Sequence, residues 1–235
     1  MKRLFVTGTD TGVGKTTVAC ALAAAWRAEG RRVATLKPSE TGCDDGPDGL
    51  VPSDALLLAA AAGEALPPAR TLAAICPNRF ALPASPEAAA AAIGQTVDLA
   101  AIHAAANDRA GAEVLLIEGA GGLLVPITSE LLQVDLAASL DAPLLVIARD
   151  ALGTVNHTLL TLEVARRRGL RVVGVVLHAT SSAPGPDSAT NREAITRHGA
   201  VTVFGTLPWA ENPTLATLAQ LARTHLDREA LWRAL

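Results

Sequence analysis

Tyrosine is missing from these 235 residues, and the other aromatics are few, three Trp and three Phe. A core with so few large rings has to be closed by small and branched side chains. Half of the chain is apolar, much of it alanine, which predicts closely packed helices and strands. Cysteine is scarce too. Cys20, Cys43 and Cys76 are scattered and odd in number, so neither a zinc pattern nor a disulfide framework emerges. That usage fits a reducing cytosol, and Cys20 reads as small core within a helical pattern. Positive charge is not in excess: the formal net charge of −3 gives no broad basic field and argues against nucleic acid as the main partner. No window has the roughly 18 strongly apolar residues of a membrane span. The greasiest stretch, Ala88 to Ala106, is mostly alanine and is interrupted by Gln95, Asp98 and His103. Residues 1–7 read as a strand, not as a signal peptide. The expectation is a cytoplasmic chain with no membrane partner, and the length suits a single domain over residues 1–235.

What is present starts at the N-terminus. The apolar run Leu4-Phe5-Val6 leads into Thr7-Gly8-Thr9-Asp10-Thr11-Gly12-Val13-Gly14-Lys15-Thr16-Thr17, and an alanine-rich helical pattern follows. Strand, glycine loop and helix are the setting of a phosphate-binding loop. Its glycines let backbone N–H groups turn toward phosphate oxygens, and the helix start adds its positive dipole end. Lys15 would reach the outer phosphates and Thr16 would offer its hydroxyl to Mg²⁺. Five residues separate Gly8 from Gly14, one more than the usual spacing.

Downstream, Val18, Leu22 and Trp26 form one helical stripe, closed by Gly30. Val33 to Leu36 predicts a short buried strand ending at Lys37-Pro38, with Ser39 to Gly42 as a loop and residues 43–52 as a mobile surface loop. Ser53 is expected to cap the next helix, with Asp54 in its first turn. Residues 64–86 hold five prolines and read as extended and irregular. Helical patterns resume near Glu87 and over Asp98 to Arg109, then over 153–168 and 214–234. Strands are expected at Val114–Ile117, Leu144–Ile147, Val172–Leu177 and Val201–Leu207, and a Ser/Pro/Gly loop at 179–189. Continuously apolar strands alternating with helices predict an α/β fold, a P-loop NTPase-type parallel sheet with helices on both faces. Ligands bind such sheets beyond the strand C-termini.

Lys37 stands at such an end, expected beside the loop-bearing strand, where an ammonium can neutralise phosphoryl oxygens or a carboxylate. Glu118 follows four apolar residues and precedes Gly119, Ala120, Gly121 and Gly122, where nucleotide hydrolases keep an acid for Mg²⁺. Asp54 reads either as an ordinary first-turn acid or as a metal ligand. Gly153-Thr154-Val155-Asn156 opens a helix whose free N–H groups could hold a carboxylate. His157 and His178 are lone histidines, and Trp209 reads as a base wall or as loop packing.

Taken together and in order, these pieces resemble the dethiobiotin synthetase family. The matching residues are Thr7 to Thr11 with Val13 to Thr16, Lys37-Pro38 with Thr41-Gly42, Ser53-Asp54-Ala55 and Glu118 to Gly122. Leu152-Gly153 with Asn156-His157, and Leu207-Pro208-Trp209 with Glu211-Asn212-Pro213, complete the set. The resemblance implies ATP-dependent conversion of 7,8-diaminopelargonic acid and carbon dioxide to dethiobiotin, through a carbamate and a carbamic–phosphoric anhydride. It implies Lys15 and Lys37 as the catalytic cations, and Thr16, Asp54 and Glu118 on Mg²⁺. For the nucleotide it implies Gly12 to Thr17, Asp54, Glu118 to Gly121, His178, Pro208, Trp209 and Ala210. For the substrate it implies Thr11, Thr41, Gly121 and Leu152 to Asn156, the last group reaching the substrate carboxylate across a homodimer. Two positions depart from the family pattern. Gly12 replaces a common acidic residue, and His178 replaces an asparagine that reads adenine, which implies weaker discrimination among nucleoside triphosphates.

A dimeric ATPase switch of the partitioning type is the first rival. It usually carries an extra lysine early in the loop, where this chain has Thr9, Asp10 and Thr11, and it needs a basic surface or membrane tail that is not apparent. An amidotransferase-linked enzyme of cobalamin synthesis would need a second catalytic domain. An idle scaffold would have little use for Lys15, Lys37 and Glu118.

Overall fold

The computed structural model describes residues 1–64, 68–183, 185 and 188–235, with backbone alone at 68–71. The loop expectations at 65–67 and at 184, 186 and 187 lie outside the described residues. In chain order the first half holds β1 (Lys2–Gly8), α1 (Lys15–Ala28), β2 (Val33–Leu36), β3 (Ser39–Thr41), β4 (Asp44–Gly46), β5 (Gly49–Val51), α2 (Ser53–Ala62), α3 (Pro68–Ile75), β6 (Asn78–Phe80), α4 (Pro86–Ala91) and α5 (Leu99–Asn107). Then come β7 (Val114–Gly122), α6 (Gln133–Ser139), β8 (Leu144–Arg149), α7 (Thr154–Arg167), β9 (Val172–His178), α8 (Ser188–Gly199), β10 (Val203–Leu207), α9 (Leu215–His225) and α10 (Arg228–Ala234).

Six strands form one parallel sheet in the order β10-β9-β8-β1-β7-β2. Successive side chains of a strand point to opposite faces, and each face here has its own core. Leu4, Val6, Val114 and Leu116 pack with α1, α2, α9 and α10 on one side. Phe5, Leu115 and Ile117 pack with α4, α5 and α6 on the other. Two buried faces are what turn these strands into unbroken apolar runs. The Val18-Leu22-Trp26 stripe of α1 is fully buried, and Gly30 ends that segment at φ +83°, a left-handed geometry that suits glycine.

Several local expectations are corrected. β2 does not lie beside β1, because β7 comes between them. Ser39 to Thr41 is a strand paired in parallel with β6, not a loop. The 43–52 segment contains an antiparallel hairpin of β4 and β5. The proline-rich 64–86 stretch contains α3 and β6. Ser53 does not cap α2: it is the first residue of the helix, and Pro52, which holds the cap position, makes no side-chain capping bond. Asp98, conversely, precedes α5 and caps it by accepting from the Ala101 N–H. The short α6 carried too few periodic residues to be seen in the sequence. No helix among the described residues is long and apolar enough to cross a membrane.

The C-terminal helix is strapped to α1 by aromatics and charge. Trp26 and Trp232 meet edge to face at 5.5 Å between centroids and 69° between planes. The Arg31 guanidinium lies 3.8 Å from the Trp232 ring centroid and pairs with Glu229 at 2.5 Å, while Arg228 pairs with Glu29. Because Trp26 is fully buried, Trp26→Ala is expected to lower the unfolding free energy by about 3–5 kcal/mol, read from urea midpoints. A double-mutant cycle with Trp232→Ala should show coupling of about 0.5–1.5 kcal/mol. Purely additive losses would mean that the ring pair contributes nothing beyond buried area.

Candidate active site

The loop from β1 to α1 is shaped by glycine. Gly12 and Gly14 have φ of +73° and +93°, which L side chains adopt only under strain. Gly14 sits immediately before α1, and no side chain caps that helix, so its first N–H groups are available to an anion. The loop borders a cleft of about 750 Å³, lined by Thr11, Gly12, Gly14, Lys15, Thr16 and Thr17 on one side. Lys37, Thr41, Asp54, Glu118, Ala120 and Gly121 line it as well. These scattered segments reach one cavity because they lie at or beyond the C-terminal ends of β1, β2, β3 and β7 or open α1 and α2.

Strand register brings the charged groups together. β2 and β7 pair Leu36 with Ile117, so Lys37 and Glu118 emerge side by side at the same sheet edge. β1 and β7 pair Val6 with Glu118, which places Glu118 under the glycine loop. Lys37 Nζ donates to Glu118 Oε1 at 2.5 Å and to Asp54 Oδ2 at 2.9 Å. Thr16 Oγ1 donates to the same Glu118 oxygen at 2.8 Å, and Lys15 Nζ donates to the Asp10 carbonyl at 3.2 Å. Lys37 is 5% exposed and Glu118 fully buried. Burial alone would lower the Lys37 pKa, but the charges and hydrogen bonds of Glu118 and Asp54 outweigh it and raise it, so the ammonium is held protonated. Lys15 lacks a carboxylate contact of that kind, and desolvation lowers its pKa despite the nearby charge of Glu118.

The donor set fits a divalent cation. Thr16, Asp54 and Glu118 offer oxygen only, which suits Mg²⁺. Glu118 Oε2 is buried with no hydrogen-bond partner among the described residues, an acceptor left open in a region that already attracts an ammonium. No cluster of three or more His, Cys, Asp or Glu side chains fit to hold a metal occurs among the described residues. Two carboxylates and a hydroxyl match an ion that keeps waters and borrows phosphate oxygens.

Two polar residues in the cleft carry no signal in the motif pattern. Glu40, 7% exposed, accepts from the backbone N–H groups of Asp54 and Ala55 at 2.9 and 3.0 Å. Burial raises its pKa even though both of those bonds pull the other way. Ser39 lines the same cleft with a buried hydroxyl that lacks a partner among the described residues. Both sit in a segment whose sequence suggests a loop, and only the pairing of β3 with β6 turns them inward.

The other expected residues lie apart from the cleft wall. His178, at the end of β9, is buried against the loop, with Nδ1 3.1 Å from the Val13 carbonyl. A Cβ at Gly14 would run into its ring. Gly119 packs against Phe5, where a Cβ would collide with the ring. Leu207 ends β10, its carbonyl accepting from Ala179 N–H; Pro208, Trp209 and Ala210 follow, with Trp209 40% exposed. Gly153, at φ +89°, precedes α7 without a side-chain cap. Leu152 beside it is 85% exposed, whereas Thr154 is buried. Within one chain Leu152, Gly153, Thr154, Val155 and Asn156 do not line the cleft.

A family model described as an AAA domain matches residues 2–216. The ATP-dependent dethiobiotin synthetase BioD of Anaeromyxobacter dehalogenans strain 2CP-C is 47% identical over 221 residues, covering 94% of this chain and 95% of that protein. The protein of the same name from Bacillus subtilis strain 168 is 34% identical over 233 residues, covering 98% and 97%. Among solved structures, a ParA family ATPase from Chlorobium tepidum TLS superposes with a TM-score of 0.55 at 13% identity, covering 100% of this chain and 99% of that one. The MinC:MinD cell division complex of Aquifex aeolicus gives 0.57 at 11% identity, covering 94% and 86%. At such identities these two likenesses carry the α/β P-loop fold alone. With the glycine loop, the buried lysine and the two carboxylates on one sheet edge, and with relatives of this identity over nearly its whole length, the chain belongs to the ATP-dependent dethiobiotin synthetases, ATP-binding ligases of biotin biosynthesis.

Proposed function

We propose that residues 1–235 act as one catalytic domain that joins carbon dioxide to 7,8-diaminopelargonic acid and closes the urea ring of dethiobiotin, with ATP leaving as ADP and phosphate. One amine takes up carbon dioxide and loses a proton, giving a carbamate. A carbamate oxygen attacks the γ-phosphorus and ADP departs, leaving a carbamic–phosphoric anhydride. The second amine attacks the carbonyl carbon, phosphate leaves, and a five-membered ring results. Holding that amine beside the anhydride can lower the barrier by about 7–11 kcal/mol, so no enzyme nucleophile is required.

The observation that carries this reading is the buried Lys37 ammonium between Glu118 and Asp54, joined through Glu118 Oε1 to the phosphate-loop hydroxyl of Thr16. In the proposal Lys37 and Lys15 neutralise the carbamate and the transferring phosphoryl group. Gly12, Val13, Gly14 and Thr17 present backbone N–H groups to the phosphates, with Gly119 and Ala120 packing beside them. Thr16, Asp54 and Glu118 hold Mg²⁺, which supplies charge neutralisation for the polyphosphate. Thr11, Thr41 and Gly121 orient the reacting end of the substrate. Leu152, Gly153, Thr154, Val155 and Asn156 receive its carboxylate from the partner subunit of a homodimer, which accords with their distance from the cleft of their own chain. Pro208, Trp209 and Ala210 border the base, and the cytoplasm supplies the substrates.

His178 sharpens the expectation about the base. The Val13 carbonyl can only accept, so Nδ1 carries the proton. Burial lowers the ring's pKa, so at neutral pH Nε2 remains an acceptor. A lone acceptor suits an exocyclic amino group, such as those of adenine and cytosine, and disfavours the carbonyls of guanine and uracil.

Phosphate release from ATP is expected to require both diaminopelargonate and bicarbonate; release indifferent to either would remove the synthetase reading. Lys37→Met should cut kcat by about 10²–10³-fold with its melting temperature monitored alongside. Among nucleotides, ATP and CTP are expected within about tenfold of each other, a gap of ~1.4 kcal/mol, with GTP and UTP weaker. Strict ATP selectivity, or selectivity unchanged by His178→Asn, would rule out the imidazole as the base-reading group.

A further inference from the structure

The start of α2 is built in an unusual way. A helix leaves its first N–H groups without intrahelical partners, and the residue before a helix commonly supplies the acceptor. Here that residue is Pro52, and no local side chain does so. The acceptor comes from β3 instead. Glu40 Oε1 takes the Asp54 N–H and Oε2 takes the Ala55 N–H. The strand that carries Glu40 is itself fixed by parallel pairing of Ser39, Glu40 and Thr41 with Asn78, Arg79 and Phe80.

This arrangement has a consequence for Asp54. Its side chain is 44% exposed, and its one side-chain ion pair is with Lys37, which Glu118 also holds. Little else holds the carboxylate from the side-chain end. The backbone of Asp54 is fixed by Glu40, and the carboxylate lies only two bonds beyond it. Glu40 lines the cleft, and each of its oxygens accepts one backbone N–H, which ties the carboxylate to the start of α2.

We infer that Glu40 is a positioning residue for Asp54, anchoring the helix start so that this acid meets the cation presented with the nucleotide. The inference rests on the reading of Asp54 as a metal acid. It assigns Glu40 a task distinct from capping a helix for stability, because its effect must pass through Asp54.

The test uses the full-length protein, Mn²⁺ as the metal and a non-hydrolysable ATP analogue, with metal affinity read by electron paramagnetic resonance. Glu40→Ala is expected to weaken Mn²⁺ binding in the presence of the analogue by about tenfold while the analogue's metal-free affinity is retained. Glu40→Gln keeps the volume and one carbonyl acceptor, and should give a smaller loss in the same direction; it carries the test if the alanine variant does not fold. In the Asp54→Asn background, the Glu40 substitution should weaken Mn²⁺ no further. An unchanged Mn²⁺ affinity, an equal fall in metal-free binding, or a full additional loss on top of Asp54→Asn would overturn the inference. A wild-type protein whose analogue binding is indifferent to Mn²⁺ would instead overturn the reading of the metal site on which it rests.

Discussion

The contact on which this site depends is an ammonium buried between two carboxylates. Lys37 lies 2.5 Å from Glu118 and 2.9 Å from Asp54. Removing such groups from water is costly, and a buried ion pair is weak evidence for stability. Its value lies elsewhere. A buried cation and anion, with a half-exposed second carboxylate already in place beside them, need little rearrangement when a highly charged ligand arrives, which is the condition for strong electrostatic stabilisation of a reaction. Removing Lys37 or Glu118 would leave its partner as an uncompensated buried charge, and Asp54 completes the unit from its half-exposed side. Under the proposed chemistry, the incoming polyphosphate and its cation change the balance inside that unit, giving Lys37 a new anion to face.

That unit exists because of strand order. Lys37 directly follows β2 and Glu118 lies within β7, and these strands are neighbours with Leu36 opposite Ile117. Were β2 beside β1, as chain order suggests, Lys37 would stand against the glycine loop and Glu118 would be displaced to the next position. Inserting β7 puts the acid in the middle, with the loop and Thr16 on one side and the lysine on the other. The parallel sheet thus fixes the spacing of three functional groups by main-chain hydrogen bonds, the most rigid part of the molecule. The fourth group, Asp54, comes from a helix start and requires its own anchor.

The contrast between what the sequence discloses and what it hides follows the same line. The glycine loop was legible because its chemistry needs adjacent residues in a fixed setting. β1, β2, β7, β8 and β9 were legible because burial on both faces leaves unbroken runs of Leu, Val and Ile. Strand order was not, since pairing β7 with both β1 and β2 is a contact between distant segments that no local pattern encodes. β3 reads as a loop because Ser39, Glu40 and Thr41 have none of the apolar character of a core strand; they pair with Asn78, Arg79 and Phe80, a short strand with one apolar residue, hidden in a proline-rich stretch. Glu40 was missed for that reason alone. In the sequence it is one acid in a loop, and only the fold gives it two backbone amides to hold. The start of α7 is a different case: Leu152 to Asn156 were proposed from the resemblance, and a single chain holds them away from the cleft.

His178 shows how tightly the two ends of a nucleotide can be coupled in such a site. In the proposed binding mode the phosphate grip is made of backbone N–H groups, so it depends on loop shape and is indifferent to most side-chain changes. That shape relies on Gly14, whose φ of +93° excludes most residues and whose missing Cβ leaves the space taken by the imidazole. The same ring hydrogen-bonds the Val13 carbonyl through Nδ1, leaving a single nitrogen for a base. Under the proposed nucleotide role, position 178 has two tasks, bracing the loop and facing the nucleoside, and one side chain cannot be optimised for both at once. An amide presents a donor and an acceptor at the same end and can divide them between the loop and a base edge. An imidazole carries its two nitrogens on opposite sides of the ring, so committing one to the loop fixes which character the other must show. In that proposal, selectivity for the base is set by a bond made to the glycine loop.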